Sequence, residues 1–173
     1  MQLSVVIIGV DNGLKGGLVA ISKETGAIIE KTVMPTLQRC KKNEVDTRAV
    51  YEWTMALESE FIFAIEEPLR HAKSSQAVRS MGISFGKLLG LAESRQWESR
   101  CVQVKDWQRS MLGNLLLSHD TKEAALIKAT VLAPEECWQK SKRASKPHDG
   151  MIDAFLIARY IRREFAFEKG FPE

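Results

Sequence analysis

Residues 7–21, IIGVDNGLKGGLVAI, decide how the chain is read. The run 5–10, VVIIGV, is short, apolar and β-branched, the pattern of a strand buried on both faces. It ends at Asp11, and NGLKGG (12–17) supplies a glycine-rich turn. Residues 18–21 and 27–34 read as two further strands, with KETG between them as a hairpin loop. The opening is therefore an antiparallel meander with an acid at the end of its first core strand.

Working outward, 47–60 reads as a helix with Thr47, after Asp46, as its cap. Residues 61–65 form the next buried strand, which runs into Glu66, Glu67 and Pro68; the proline cannot donate to a ladder. A basic, partly helical stretch spans 74–97, and 101–104 is the last core strand. Residues 121–132 and 149–164 read as helices. The order β-β-β-α-β-α-β-α-α predicts an α/β domain with a mixed five-stranded sheet flanked by helices on both faces.

The chain has 173 residues, enough for one such domain over 1–173. Lys and Arg number 25 against 22 acids, a formal charge of +3 that by itself points to no partner. The distribution is more pointed. Between Leu69 and Lys105 there are seven basic residues and two acids, and Lys140, Lys142, Arg143 and Lys146 precede Asp149. Such stretches suit phosphates, and equally a solvated helix face. Cys40, Cys101 and Cys137 have neither zinc spacing nor an even count, the expectation for a reduced, cytoplasmic protein. No apolar stretch is long enough for a membrane span.

The last helix carries the chemistry. Asp149, Ile152, Asp153, Leu156, Ile157 and Tyr160 trace one i, i+3, i+4 stripe, so two carboxylates open the inward face. Carboxylates aimed at a core are costly without a cation or donor. Singly, Asp11 reads as a turn former, Asp149 as a helix cap, and Glu66 or Glu67 as a strand-end charge. Asp153 lies mid-stripe and resists such a reading. Together, at strand ends and on a core helix, they imply a shared divalent-metal site.

Several segments, in order, resemble one family. IIGVDNGLKGGLVAI is similar to the first-strand motif of RuvC-like Holliday junction resolvases, and AIEEP to their second acidic motif. VKDWQRSMLG (104–113) and DTKEAALIKATVLAP (120–134) resemble the segments that follow. KPHDGMIDAFLIARYI resembles the terminal motif, in a form associated with phage-encoded members. The resemblance implies a ribonuclease-H-like fold with strand order 3-2-1-4-5. It also implies a homodimer that cleaves four-way DNA junctions with Mg²⁺ or Mn²⁺, located in the cytoplasm of the bacterial host if phage-encoded. Asp11, Glu66, Asp149 and Asp153 become the catalytic metal ligands, with Asp11 bridging two ions, and products carry 5′-phosphate and 3′-hydroxyl ends. Lys105 and Lys122 become phosphate contacts, with Lys15, Arg70, Lys73, Lys146 and His148 as further DNA contacts.

Departures from the family pattern leave points open. Asn12 stands where proline is usual, a change expected to affect only the turn. The Asp149–Asp153 spacing is four where three is common, and His148 is a possible substitute ligand. Glu67 rivals Glu66. Leu69 holds the place of an aromatic wedge, with His71 as an alternative. Leu88, Leu89 and Leu91 within 81–92 are a candidate dimer face, or a helix face that packs on the sheet. A flap or branched-DNA nuclease of the same fold, a non-catalytic junction binder and a sugar-kinase-like ATPase are the competing readings.

Overall fold

The computed structural model describes residues 5–69 and 74–168. Its strands are β1 (Val5–Asp11), β2 (Gly17–Ser22), β3 (Ile28–Val33), β4 (Thr36–Arg39), β5 (Lys42–Val45), β6 (Glu60–Glu66) and β7 (Glu98–Val102). Its helices are α1 (Thr47–Met55), α2 (Ser75–Ser94), α3 (Val104–Leu112), α4 (Thr121–Leu132) and α5 (Asp149–Glu168), with a 3₁₀ turn at Gly113–Leu117.

The main sheet has the order β3-β2-β1-β6-β7. β1 pairs antiparallel with β2, and β2 with β3, while β6 lies parallel to both β1 and β7. This is the expected 3-2-1-4-5 arrangement, renumbered because β4 and β5 form a separate two-stranded hairpin that the sequence reading passed over. Boundaries moved too. α1 stops at Met55, and Glu58 turns the chain in a left-handed conformation (φ 49°) before β6. β7 lies at 98–102, and Val104 opens α3. Asp46, not Thr47, caps α1, its carboxylate accepting from the amides of Arg48 and Ala49 at 3.1 Å each.

Side-chain alternation sorts the sheet into two cores. Ile7, Ile62 and Ala64 face one layer, with Trp107 of α3, Ala125 of α4 and the apolar residues of α5. Val6, Ile8, Val10, Phe63 and Ile65 face the other, with Val50 of α1 and Leu88 and Ala92 of α2. Counting by twos along the strands, Asp11 falls on the face of Ile7 and Glu66 on that of Ala64. Both acids therefore point towards the α5 layer.

α5 lies unusually close to the sheet because glycine lets it. A Cβ at Gly9 would overlap the Ala154 carbonyl and sit 2.7 Å from the Ala158 amide nitrogen. At the helix start Gly150 bridges Gly16, and a Cβ there would collide with the backbone of Lys15 and Gly16. Backbone meets backbone at both points, which fixes the height of α5 over β1. Arg159 and Arg162 pin the other end, donating to the carbonyls of Gly26 (3.3 Å), Lys23 (3.0 Å) and Glu24 (2.8 Å) in the β2–β3 turn. Among the described residues, no helix is long and apolar enough to cross a membrane.

Gly9→Ala should overpack this contact at a cost of about 2–3 kcal/mol. The thermal midpoint should drop by roughly 5–10 °C. An unchanged midpoint would show that α5 does not rest on β1 at this point.

Candidate active site

Asp11 and Glu66 end two neighbouring parallel strands, one step beyond the Val10–Ile65 pair. The loop after Asp11 turns back at once, its Oδ1 accepting from the Gly13 amide at 3.0 Å. Asn12 is fully buried, and its Nδ2 donates to the backbone carbonyl of Glu66. The residue expected merely to alter the turn instead ties the end of β1 to the end of β6.

Glu66 is 8% exposed. Its Oε1 accepts from the indole nitrogen of Trp107 at 2.7 Å. Trp107 is wholly buried on α3, which begins two residues after β7. This partner was missed from the sequence, where VKDW marked a resemblance but nothing linked the indole to Glu66. Glu67 turns elsewhere. Its amide donates to Val102 at 2.8 Å, extending the β6–β7 ladder, and its carboxylate bears on Cys101. Of the two rivals, Glu66 is the one that meets Asp11.

From the other side, α5 presents Asp153, the one position between Gly150 and Ala158 that is not fully buried. Asp149 lies at the rim, half exposed, and does not point into the core as the stripe suggested. It accepts from Lys122 Nζ at 2.6 Å, and this contact is the main reason the lysine holds its proton above its ordinary range. His148 caps the helix. Its Nδ1 accepts from the Met151 amide at 3.3 Å, and burial lowers its pKa against the pull of Asp149. An Nδ1 used in this way is not free to bind a cation.

The acids bear on one another electrostatically. Burial, then repulsion from Asp11, pushes Glu66 up to about 8, with a further rise from Asp153 and partial relief from Trp107. Burial, then Asp11, then Asp149, pushes Asp153 to about 7. Asp11 is raised by burial and by Asp149, eased by the Gly13 amide. Asp11 is the common neighbour. Lys122 makes its contact with Asp149 and eases Asp153 from a distance, so none of the three inner acids has a cation in direct contact among the described residues. Among the described residues, no three acidic, histidine or cysteine side chains stand together in a way that could hold a metal ion as they are placed.

The expected DNA contacts are more scattered. Lys15 is exposed in the loop after Asp11, Lys105 at the start of α3, and Lys146 before α5. Arg70, His71 and Lys73 lie outside the described residues; Leu69 is 41% exposed.

No protein-family model matches the sequence, and no curated protein matches it significantly. Solved structures do. RuvC of T. thermophilus in complex with a Holliday junction substrate aligns over 96% of both chains, with a TM-score of 0.63 and 16% identity. The chain has the RuvC fold. A second Thermus thermophilus RuvC structure aligns over 95% of this chain and 96% of its own, at a TM-score of 0.58 and 18% identity. The similarity spans the RuvC chain end to end, so β1, β6 and α5 are elements of the shared fold and not additions to it.

A carboxyl whose pKa is higher in the fold than in the unfolded chain binds a proton more tightly when folded. The stability contributed by Glu66 and Asp153 is thus complete below about pH 4 and is lost as pH rises through about 7 and 8. In EDTA the thermal midpoint should fall between about pH 5 and pH 9, and Glu66→Gln or Asp153→Asn should flatten that fall. A midpoint that climbs with pH would contradict the crowding of these acids.

Proposed function

We propose that this chain is a metal-dependent endonuclease that resolves four-way DNA junctions, with residues 1–173 forming one nuclease domain. The observation that carries the reading is the gathering of Asp11, Glu66 and Asp153, from three separate elements, at one end of the sheet. Such crowding costs stability and is retained where a function needs it. The RuvC of known structure was captured with a Holliday junction, which supports DNA as the substrate.

The residues suit a divalent cation. All the inner donors are carboxylate oxygens, the chemistry preferred by Mg²⁺ and Mn²⁺. Their raised pKa values are what a bound cation would reverse. Asp11 is bonded through Oδ1, Glu66 through Oε1 and Asp149 through Oδ2, so each keeps one oxygen uncommitted. Asp11, the shared neighbour, would bridge, with Glu66 on one side and Asp153 and Asp149 on the other.

Divalent ions, when bound, would supply an activated water and charge stabilisation for in-line phosphodiester hydrolysis. The chain's own part is to hold the carboxylates in place. Trp107 and Asn12 fix the side chain and the backbone of Glu66 respectively, and the Gly13 amide fixes Asp11. Lys122 would exchange Asp149 for a DNA phosphate, and Lys105 would take a neighbouring one. Cleavage would leave 5′-phosphate and 3′-hydroxyl ends. Symmetric resolution needs two sites at a fixed separation, hence a homodimer. A nuclease of the same fold acting on flaps and other branched DNA is the alternative reading.

Asp11→Asn should still bind a synthetic four-way junction but cleave it at least about a thousandfold more slowly with Mg²⁺, about 4 kcal/mol of barrier. Near-normal cleavage by the variant would end the assignment. Wild-type rates on junctions, flaps and forks, compared in one experiment, separate a dedicated resolvase from a broader nuclease.

A further inference from the structure

The β4–β5 hairpin has no part in the site described above, yet its chemistry is pronounced. Arg39, Lys41 and Lys42 are exposed, and among the described residues none of the three lies within ion-pair distance of an acid, although Arg39 and Lys42 bear on Glu44 from further off. The hairpin's one acid, Glu44, is already taken by Lys87 at 2.6 Å. At the tip, Cys40 and Lys41 are both left-handed, with φ of 48° and 64°. Two-residue turns of this kind favour Asn and Gly. Here the strained positions sit in the middle of a run of cations, the sort of outlier that points to function.

Between the hairpin and the first half of α2 lies a cleft of about 800 Å³. Lys42, Asn43, Ser75, Gln76, Arg79 and Ser80 line it, and Glu44 is its one acidic side chain. The first turn of α2 also carries no acid, so the positive end of its dipole is uncompensated. One end and one wall of the cleft connect in sequence to the candidate active site. Leu14, in the loop that follows Asp11, closes one end. α2 is the next element after Glu66.

We propose that the hairpin and this cleft are a second DNA-binding surface, which grips the sugar–phosphate backbone of one arm of the substrate beside the cleavage site. The proposal rests on the nuclease reading and extends it to residues outside the carboxylate group. Amides, hydroxyls and unpaired cations contact phosphates without reading sequence. The surface therefore contributes affinity and placement and leaves sequence preference to other residues.

The test is binding of a synthetic four-way junction in EDTA between 50 and 200 mM NaCl. It compares wild type, Arg79→Ala, and the triple variant Arg39→Ala, Lys41→Ala, Lys42→Ala. The triple variant should lose about 2–3 from the log–log salt slope and bind at least about tenfold more weakly at 150 mM. Lys41→Glu alone, at the exposed tip, should weaken binding in the same direction, and answers the case in which the triple variant misfolds by circular dichroism. Wild-type slope and affinity in the folded variants would overturn the proposal. So would an unchanged slope with a halved mass by light scattering, which would make this face a contact between copies. Failure of the wild type itself to bind the junction would remove the nuclease reading, and the proposal with it.

Discussion

The contact between the α5 backbone and the β1–β2 backbone is what the rest of the site depends on. Gly9 lets the Ala154 carbonyl approach β1, and Gly150 lets the helix start rest on Gly16. With side chains at these points, α5 would stand further off, and Asp153 with it. Asp11 and Glu66 need no such device, since strand pairing alone puts them side by side. The third acid has to come from another layer. Its distance from the first two is set by glycine.

That arrangement opposes two large terms. Close packing of Ile7, Ile62, Phe155 and Leu156 excludes water from the region beneath the site. The same exclusion makes each carboxylate expensive to ionise, and their proximity makes it more so. Two hydrogen bonds, from the Gly13 amide and the Trp107 indole, offset part of this cost. Neither brings a positive charge. Asp11 and Glu66 are thus held in place by neutral donors, while the ion pair beside them, Lys122–Asp149, sits at the rim where solvent screens it and only partly relieves Asp153.

Much of this was legible in the sequence because it follows from period-two alternation. The run VVIIGVD and the run FIFAIE each announce a doubly buried strand, and parity then assigns Asp11 and Glu66 to one face. The i, i+4 stripe likewise located Asp153. It misjudged Asp149, because the first residue of a helix shares the stripe's direction without sharing its depth. The β4–β5 hairpin was missed because its turn residues, Cys40 and Lys41, lack the Asn-Gly signature and its strands are mostly polar. Asn12 and Trp107 were invisible as supports for Glu66, since long-range hydrogen bonds leave no periodic trace.

The most direct measurement of the central claim is a crystal soaked in MnCl₂ at about pH 8, where the acids can ionise, with anomalous scattering to place the ions. The account predicts manganese bound to Asp11 and to at least one of Glu66 and Asp153, at oxygen distances of about 2 Å. No anomalous density between these side chains, or Asp11 and Asp153 more than about 10 Å apart, would contradict it, since a metal pair could not span that gap.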